Sequence, residues 1–191
     1  MEIRVAGLDP AFRNFGVAIG MLDIESMRLK IEKLVLLQTK NNAGKQVYKS
    51  SDNLRGAIHL HESLLELVEP CSMIFSEIPS GAQSASASHQ LGIALGILAG
   101  LPQRLIQVQP LAVKLATVGK KTASKQEMID WAEREHPNAP WIRRKLKSKL
   151  VLTKANEHLA DAVASIHAGM KTPEFLQVVK LWSASPARKI A

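Results

Sequence analysis

The sequence predicts an α/β protein built on a mixed five-stranded sheet, its first three strands an antiparallel meander, with helices on both faces. Three observations carry that prediction. Three Val-, Ile- and Leu-rich runs follow one another at the start: "EIRVAGLDP", "FGVAIGMLD" and "LKIEKLVLLQT". Two later apolar runs, "SMIFSEIP" and "RLIQVQP", are each closed by a proline and stand apart, with a helix-like stretch between them. From Pro110 onward the periodicity is helical.

Each element has its own local signal. Turn residues at Asp9-Pro10, at Asn14 and from Asp23 to Ser26 separate the meander strands. In "DNLRGAIHLHESLLELVE", Leu54, Ile58, His61, Leu65 and Val68 recur at helical spacing, with Asp52 or Asn53 as the expected N-cap and Pro70 past the end. "GAQSASASHQLGIALGILAGL" starts small and polar and turns into an apolar helix whose glycines predict close packing on the sheet. "LAVKLATV" and "SKQEMIDWAEREH" read as helices, the second opened by a capping box of Ser124 and Glu127. Pro137 and Pro140 interrupt the pattern before the amphipathic "TKANEHLADAVASIHAGM" and a last short helix, "PEFLQVVKLW". The order is the ribonuclease-H-like arrangement, although periodicity alone does not separate it from other mixed α/β folds.

At 191 residues the chain fits one domain, expected over 1–182, with a basic insertion at about 137–154 and a flexible tail over 183–191. Its longest apolar run, "LGIALGILAGL", stops at Pro102, short of the roughly 20 residues a membrane span needs. The start of the chain lacks a basic region followed by an apolar one, which predicts no signal peptide. The lone Cys71 excludes an internal disulfide and fits a reducing compartment as a buried, inert thiol. Together these predict a cytoplasmic protein with no membrane partner.

The net charge of +8 favours a polyanionic partner. The excess is local: "RRKLKSK" places five basic residues in the seven positions from Arg143 to Lys149, and "GKKTASK" adds Lys120, Lys121 and Lys125. A charge run of this kind is either a solvated face or a nucleic-acid footprint.

Three carboxylates occupy places where apolar residues are expected. Asp9 ends the first strand, Glu77 ends the fourth, and Asp161 is flanked by apolar residues within "NEHLADAVASI". Each has a separate local explanation, as a turn former before Pro10, a strand-end residue paired with a lysine, or the solvent side of a helix. A buried carboxylate is costly unless paired or metal-bound, so three in one small domain favour convergence on a common point. Such a set suits Mg²⁺ or Mn²⁺, which take oxygen ligands, and two such ions about 3.5–4 Å apart serve phosphodiester hydrolysis. His158 and Glu157 precede Asp161 by three and four residues and share its helix face, where the imidazole is a surface group, a further ligand or an acid–base group.

These segments resemble the RuvC-type Holliday junction resolvases. "GLDPAFRNFG" is similar to the motif that supplies that family's first metal-binding Asp, here Asp9, and "SEIPSGAQSASASHQLGIALG" to its strand-end Glu, loop and Leu-Gly helix, matching Glu77, Leu91, Gly92 and Gly96. "VKLATVGKKTASKQEM" matches a stretch with two catalytic or phosphate-contacting lysines, here Lys114 and Lys125, and "HLADAVASIHA" the final helix, with His158 and Asp161 on its functional positions.

The resemblance implies a metal-dependent endonuclease with Asp9, Glu77, His158 and Asp161 as ligands, two Mg²⁺ or Mn²⁺ ions per site, and Lys114 and Lys125 at the scissile phosphate. It further implies a homodimer that resolves four-way DNA junctions by paired symmetric nicks, in a bacterial or phage setting; it names no branch-migration partner. Phe12, Arg13, Ser80, Lys120, Lys121, Arg143, Arg144, Lys145 and Lys147 are the expected DNA contacts. Ser80 stands where the bacterial family commonly carries an aromatic, and the segment from Pro137 to Lys154 is longer and more basic than expected, as an added DNA-binding arm would be. Two other readings fit the same residues: a ribonuclease-H-like nuclease acting on forks, flaps or RNA–DNA hybrids, and a non-catalytic junction-binding protein.

Overall fold

In a computed structural model, residues 1–40, 48–78, 81 and 84–184 are described. The meander forms as the apolar runs require: β1 (Glu2–Asp9), β2 (Asn14–Asp23) and β3 (Arg28–Gln38) pair antiparallel in sequence. A 20-residue helix, α1 (Lys49–Val68), carries the chain to β4 (Met73–Glu77), which lies parallel to β1, and α2 (Ala85–Ala99) leads to β5 (Leu105–Val108), parallel to β4. The sheet order is β3-β2-β1-β4-β5. Four more helices follow: α3 (Pro110–Thr117), α4 (Lys125–Glu135), α5 (Asn156–Gly169) and α6 (Pro173–Ala184). Ser124 and Glu127 form the expected capping box on α4.

Two apolar layers sandwich the sheet. Alternate residues of each strand divide between them, as the two-residue period of a strand dictates. Ala6, Leu8, Val17 and Ile74 pack with Leu60, Leu64 and Val68 of α1 and with Ile97 and Leu98 of α2. Val5, Met73, Phe75 and Ile106 face α4, α5 and α6, where Trp131, Leu159, Val163 and Phe175 complete the second layer. Cys71 is buried in the first layer, and desolvation pushes its thiol up to about 11, so it is the inert thiol expected.

α5 lies directly on the sheet. A Cβ at Gly7 of β1 would overlap the Ala162 carbonyl, and one at Gly16 of β2 would overlap the carbonyl of His158. Both strands therefore need glycine where the helix backbone crosses them. Ser165 reinforces the contact by donating to the Leu8 carbonyl at 3.3 Å. At the far end of α5, His167 meets His136, the residue that follows α4, with their Nε2 atoms 2.8 Å apart.

The segment before α5 folds as a β-hairpin. β6 (Arg143–Leu146) and β7 (Lys149–Leu152) pair antiparallel, so the basic arm has a defined shape. Asn156, fully buried at the first turn of α5, fastens its base: its amide oxygen accepts from the Ile142 N–H at 2.9 Å, and its amide nitrogen donates to the carbonyls of Ile142 and Thr153 at 2.7 and 3.1 Å.

Several expectations are corrected. α1 begins at Lys49 after Tyr48, so Asp52 and Asn53 are not its N-cap but lie buried within the helix, Asp52 in its first turn. The helix turns Leu60, Leu64 and Val68 inward and leaves Leu54 and Ile58 62% and 48% exposed. Gly92 and Gly96 of α2 do not pack on the sheet, because both point into open space. α6 extends through Ala184, and the rest of the expected tail lies outside the described residues.

Gly16→Ala should lower stability by about 1–3 kcal/mol, since the new methyl group must push α5 off β2. Urea denaturation of the variant beside the parent chain measures it, and equal midpoints would refute the close approach.

Candidate active site

Strand alternation decides which side chains reach α5. Ile3, Val5, Gly7 and Asp9 lie on one face of β1, and Met73, Phe75 and Glu77 lie on the corresponding face of β4. Because β1 and β4 are parallel, with Leu8 opposite Ser76, Asp9 and Glu77 emerge side by side at neighbouring strand ends. α5 crosses the same face through Gly7 and Gly16, bringing His158 and Asp161 over them. Nδ1 of His158 lies 2.6 Å from Oδ2 of Asp9, a hydrogen bond between residues 149 positions apart.

The charges behave as a crowded set of carboxylates should. Burial, reinforced by the negative charge of Asp9 and opposed by Lys114, pushes Glu77 up to about 7. Burial, with repulsion from Asp9, Glu77 and Glu157 and relief from His158, pushes Asp161 up to about 7 as well. His158 is raised above the ordinary histidine value, chiefly by its hydrogen bond to Asp9, so an imidazolium is favoured there. Two lysines lie beside this cluster: Lys114 of α3 is felt at Glu77, and Lys125 of α4 pairs with Glu157 and is raised further by Asp161 and Asp9.

Oxygen donors that repel one another and are desolvated without a full complement of partners match the needs of a hard divalent cation. Asp9, Glu77 and Asp161 would supply the oxygens, with His158 beside them. Among the described residues, however, no three His, Cys, Asp or Glu side chains are gathered closely enough to hold a metal ion as they stand.

The expected DNA contacts divide. Lys120, Lys121, Arg144, Lys145 and Lys147 are exposed, Lys120 paired with Glu127 at 2.9 Å and Arg143 with Glu133 at 2.7 Å. Phe12 is corrected: its ring is 2% exposed, packed in the layer beneath α1, so it presents no surface to DNA. Arg13 lies over that ring at 4.7 Å and donates to Thr39 and to Asn53, both at 3.3 Å. Ser80 lies outside the described residues. Asn156 and Ser165, which position α5, were not singled out from sequence; their one signal is a polar residue on the inner face of an apolar helix. Gly7 and Gly16 had a clearer one, glycine inside a strand.

No family model matches the chain, and no curated protein matches it in sequence. Solved structures do. RuvC of Thermus thermophilus in complex with a Holliday junction substrate superposes with a TM-score of 0.63 over 87% of this chain and 92% of that one, at 19% identity. A second RuvC structure from that organism gives a TM-score of 0.59 over the same shares at the same identity. The chain has the RuvC fold. The fowlpox virus Holliday junction resolvase is similar at a TM-score of 0.52 and 12% identity, over 88% of this chain and 98% of that one. The RuvC fold is the ribonuclease-H-like one anticipated from the element order, with five strands, the first three antiparallel, and a two-stranded hairpin added.

The raised carboxylates make a contribution of definite sign to the pH dependence. Glu77 and Asp161 titrate near 7 when folded, against ordinary values of 4.5 and 3.8, so the folded chain holds more protons and loses stability as pH rises between those limits. The raised His158 acts in the same direction: its contribution is complete below the ordinary histidine value and is lost as pH rises through the folded one. Buried His167, pushed down to about 3, and His136, also lowered, act in the opposite direction, so the sign is read from a difference between chains. In EDTA, the stability of Asp161→Asn relative to the parent chain should rise from about pH 4 to pH 8 by roughly 1–3 kcal/mol, because the variant lacks the raised carboxyl. Denaturant titrations of both chains across that range test it; a difference independent of pH would contradict the assignment.

Proposed function

We propose that the chain is a divalent-metal-dependent endonuclease of branched DNA, chiefly a resolvase of four-way junctions. The observation that carries this reading is the meeting of Asp9, Glu77, His158 and Asp161 at one face of a RuvC fold. A bound divalent ion, or a pair of them, would supply a Lewis acid and an activated water. Asp9 and Glu77 hold their carboxylates at rigid strand ends, and α5 adds Asp161 once its backbone rests on Gly7 and Gly16. His158 orients Asp9 through its hydrogen bond and offers a proton-carrying group beside it. Lys114 and Lys125 bring positive charge to the same edge, suited to a scissile phosphate. Exposed basic residues on the hairpin and at Lys120 and Lys121 extend that charge toward the DNA backbone. A projecting basic arm also favours a substrate range that includes forks and flaps.

A homodimer is the assembly this reading needs, since paired nicks call for two sites related by a two-fold axis. The outer face of α2 supports it. Gly92 and Gly96 open into free space, Leu95 is 38% exposed, and a groove beside it is lined by Ile78, Leu98, Ala99 and Leu105. His61, which shares a helix face with Leu54 and Ile58, lies against Gly100, so the exposed leucine and isoleucine of α1 lie on the side of that helix turned toward α2.

Incubating the protein with fixed and mobile four-way junctions, with and without Mg²⁺, and mapping nicks on every strand tests the reading. Symmetric paired nicks in Mg²⁺ alone are expected. Asp9→Asn should abolish them and leave junction affinity within about threefold, because it removes an acidic ligand and no basic contact; full cleavage by that variant would sink the site assignment. Leu95→Glu should shift the sedimentation coefficient to that of a monomer and suppress paired nicking with the fold intact. Unchanged sedimentation would place the dimer contact elsewhere.

A further inference from the structure

The hairpin carries more than charge. Residues opposite one another in an antiparallel pair point to the same face, so the observed register places Lys145 and Leu150 on one face of the ribbon and Leu146 and Lys149 on the other. Leu146 and Leu150 are 51% and 66% exposed, at the two rungs nearest the turn. The tip thus shows one leucine and one lysine on each side. Lys147 forms the turn with a left-handed backbone, at a φ of 55°, an unusual conformation for a residue other than glycine. From Arg143 to Leu152 there are five basic residues and no acidic one.

A free two-stranded ribbon is marginal in water, yet this one is well anchored. Asn156 locks its base, Arg143 is tied to Glu133 on α4, and Leu152 packs on the core. The anchoring leaves the two apolar side chains of the tip exposed, and neither joins either apolar layer of the core. Solitary exposed leucines are ordinary; a pair on opposite faces of an anchored ribbon whose charges are all positive asks for a surface that is anionic outside and apolar within. Duplex DNA at a branch point is such a surface, with phosphates along each arm and unstacked base pairs at the crossover. Leucine is among the side chains that proteins insert between base steps, and a two-stranded ribbon is narrow enough to enter a groove.

We propose that the β6–β7 hairpin is a two-sided wedge: its lysines and arginines hold the phosphates of two arms of branched DNA, while Leu146 and Leu150 each cover the terminal base pair of one arm. The wedge rests on the reading of the chain as a branched-DNA nuclease. It gives the hairpin a role distinct from adhesion, since it keeps the branch point open and holds the strands apart for cleavage.

The test uses the full chain carrying Asp9→Asn, with and without Leu146→Ser and Leu150→Ser, and a four-way junction with 2-aminopurine at the branch point. Thermal melting first checks that the exposed substitutions leave the fold intact. The single variant should raise 2-aminopurine fluorescence on binding, and the added serines should remove most of that rise while anisotropy shows affinity changed by less than about fivefold. With Asp9 restored, the serine variant should cut an intact junction about tenfold more slowly and a junction with mismatched, pre-opened centre at the parent rate. An equal fluorescence rise with and without leucines would overturn the wedge while leaving the nuclease reading in place. A change of sedimentation to monomer in the serine variant would overturn it in favour of a contact between copies. Failure of the parent to bind branched DNA above duplex would overturn both readings together.

Discussion

The close approach of α5 to β1 and β2 is the constraint on which the rest of the molecule depends. Two strand glycines allow the helix backbone to touch the sheet, and Ser165 secures the crossing from the helix side. Without that contact, Asp161 would stand one side chain's depth farther from Asp9 and Glu77, and the carboxylates would lose the mutual repulsion that marks them as a set. Packing therefore concentrates like charge at one edge of the fold, at a cost in stability that the apolar layers absorb. On the nuclease reading, geometry sets stability and activity against each other here, as is common where a site must be preorganised.

Both apolar layers were legible in the sequence because strands and helices announce themselves by period, and the capping box at Ser124 by its spacing. The carboxylates were legible because Asp9, Glu77 and Asp161 interrupt apolar patterns. What the sequence could not convey was which face of a uniformly apolar helix turns inward. α2 has apolar residues all round, so its glycines fitted sheet packing equally well in principle, and only the structure shows them facing out. Phe12 illustrates the same difficulty. An aromatic after a strand end could lie on either side of its loop, and burial under α1 was decided by residues far along the chain.

Charge was legible as composition and not as shape. Five basic residues in seven fit a solvated face or a polyanion partner equally, and the alternation that turns them into a ribbon with apolar tips is a tertiary fact, held by Asn156 from the next helix. The lysines near the carboxylates show the converse. Lys125 is not free at the site edge, because Glu157 holds it in an ion pair that a phosphate would have to displace or share. Such a pair keeps a lysine oriented at small net cost on an exposed surface.

The Asp9–His158 hydrogen bond spans 149 positions, nearly the full length of the described chain. One consequence concerns synthesis. Asp9 and the meander leave the ribosome before α5, so a chain whose synthesis has not reached α5 carries Asp9 and Glu77 without the helix that brings His158 and Asp161 to them. Long-range closure of this kind slows folding. On the nuclease reading it also withholds DNA cutting from any chain in which α5 has not yet been made and docked on the sheet.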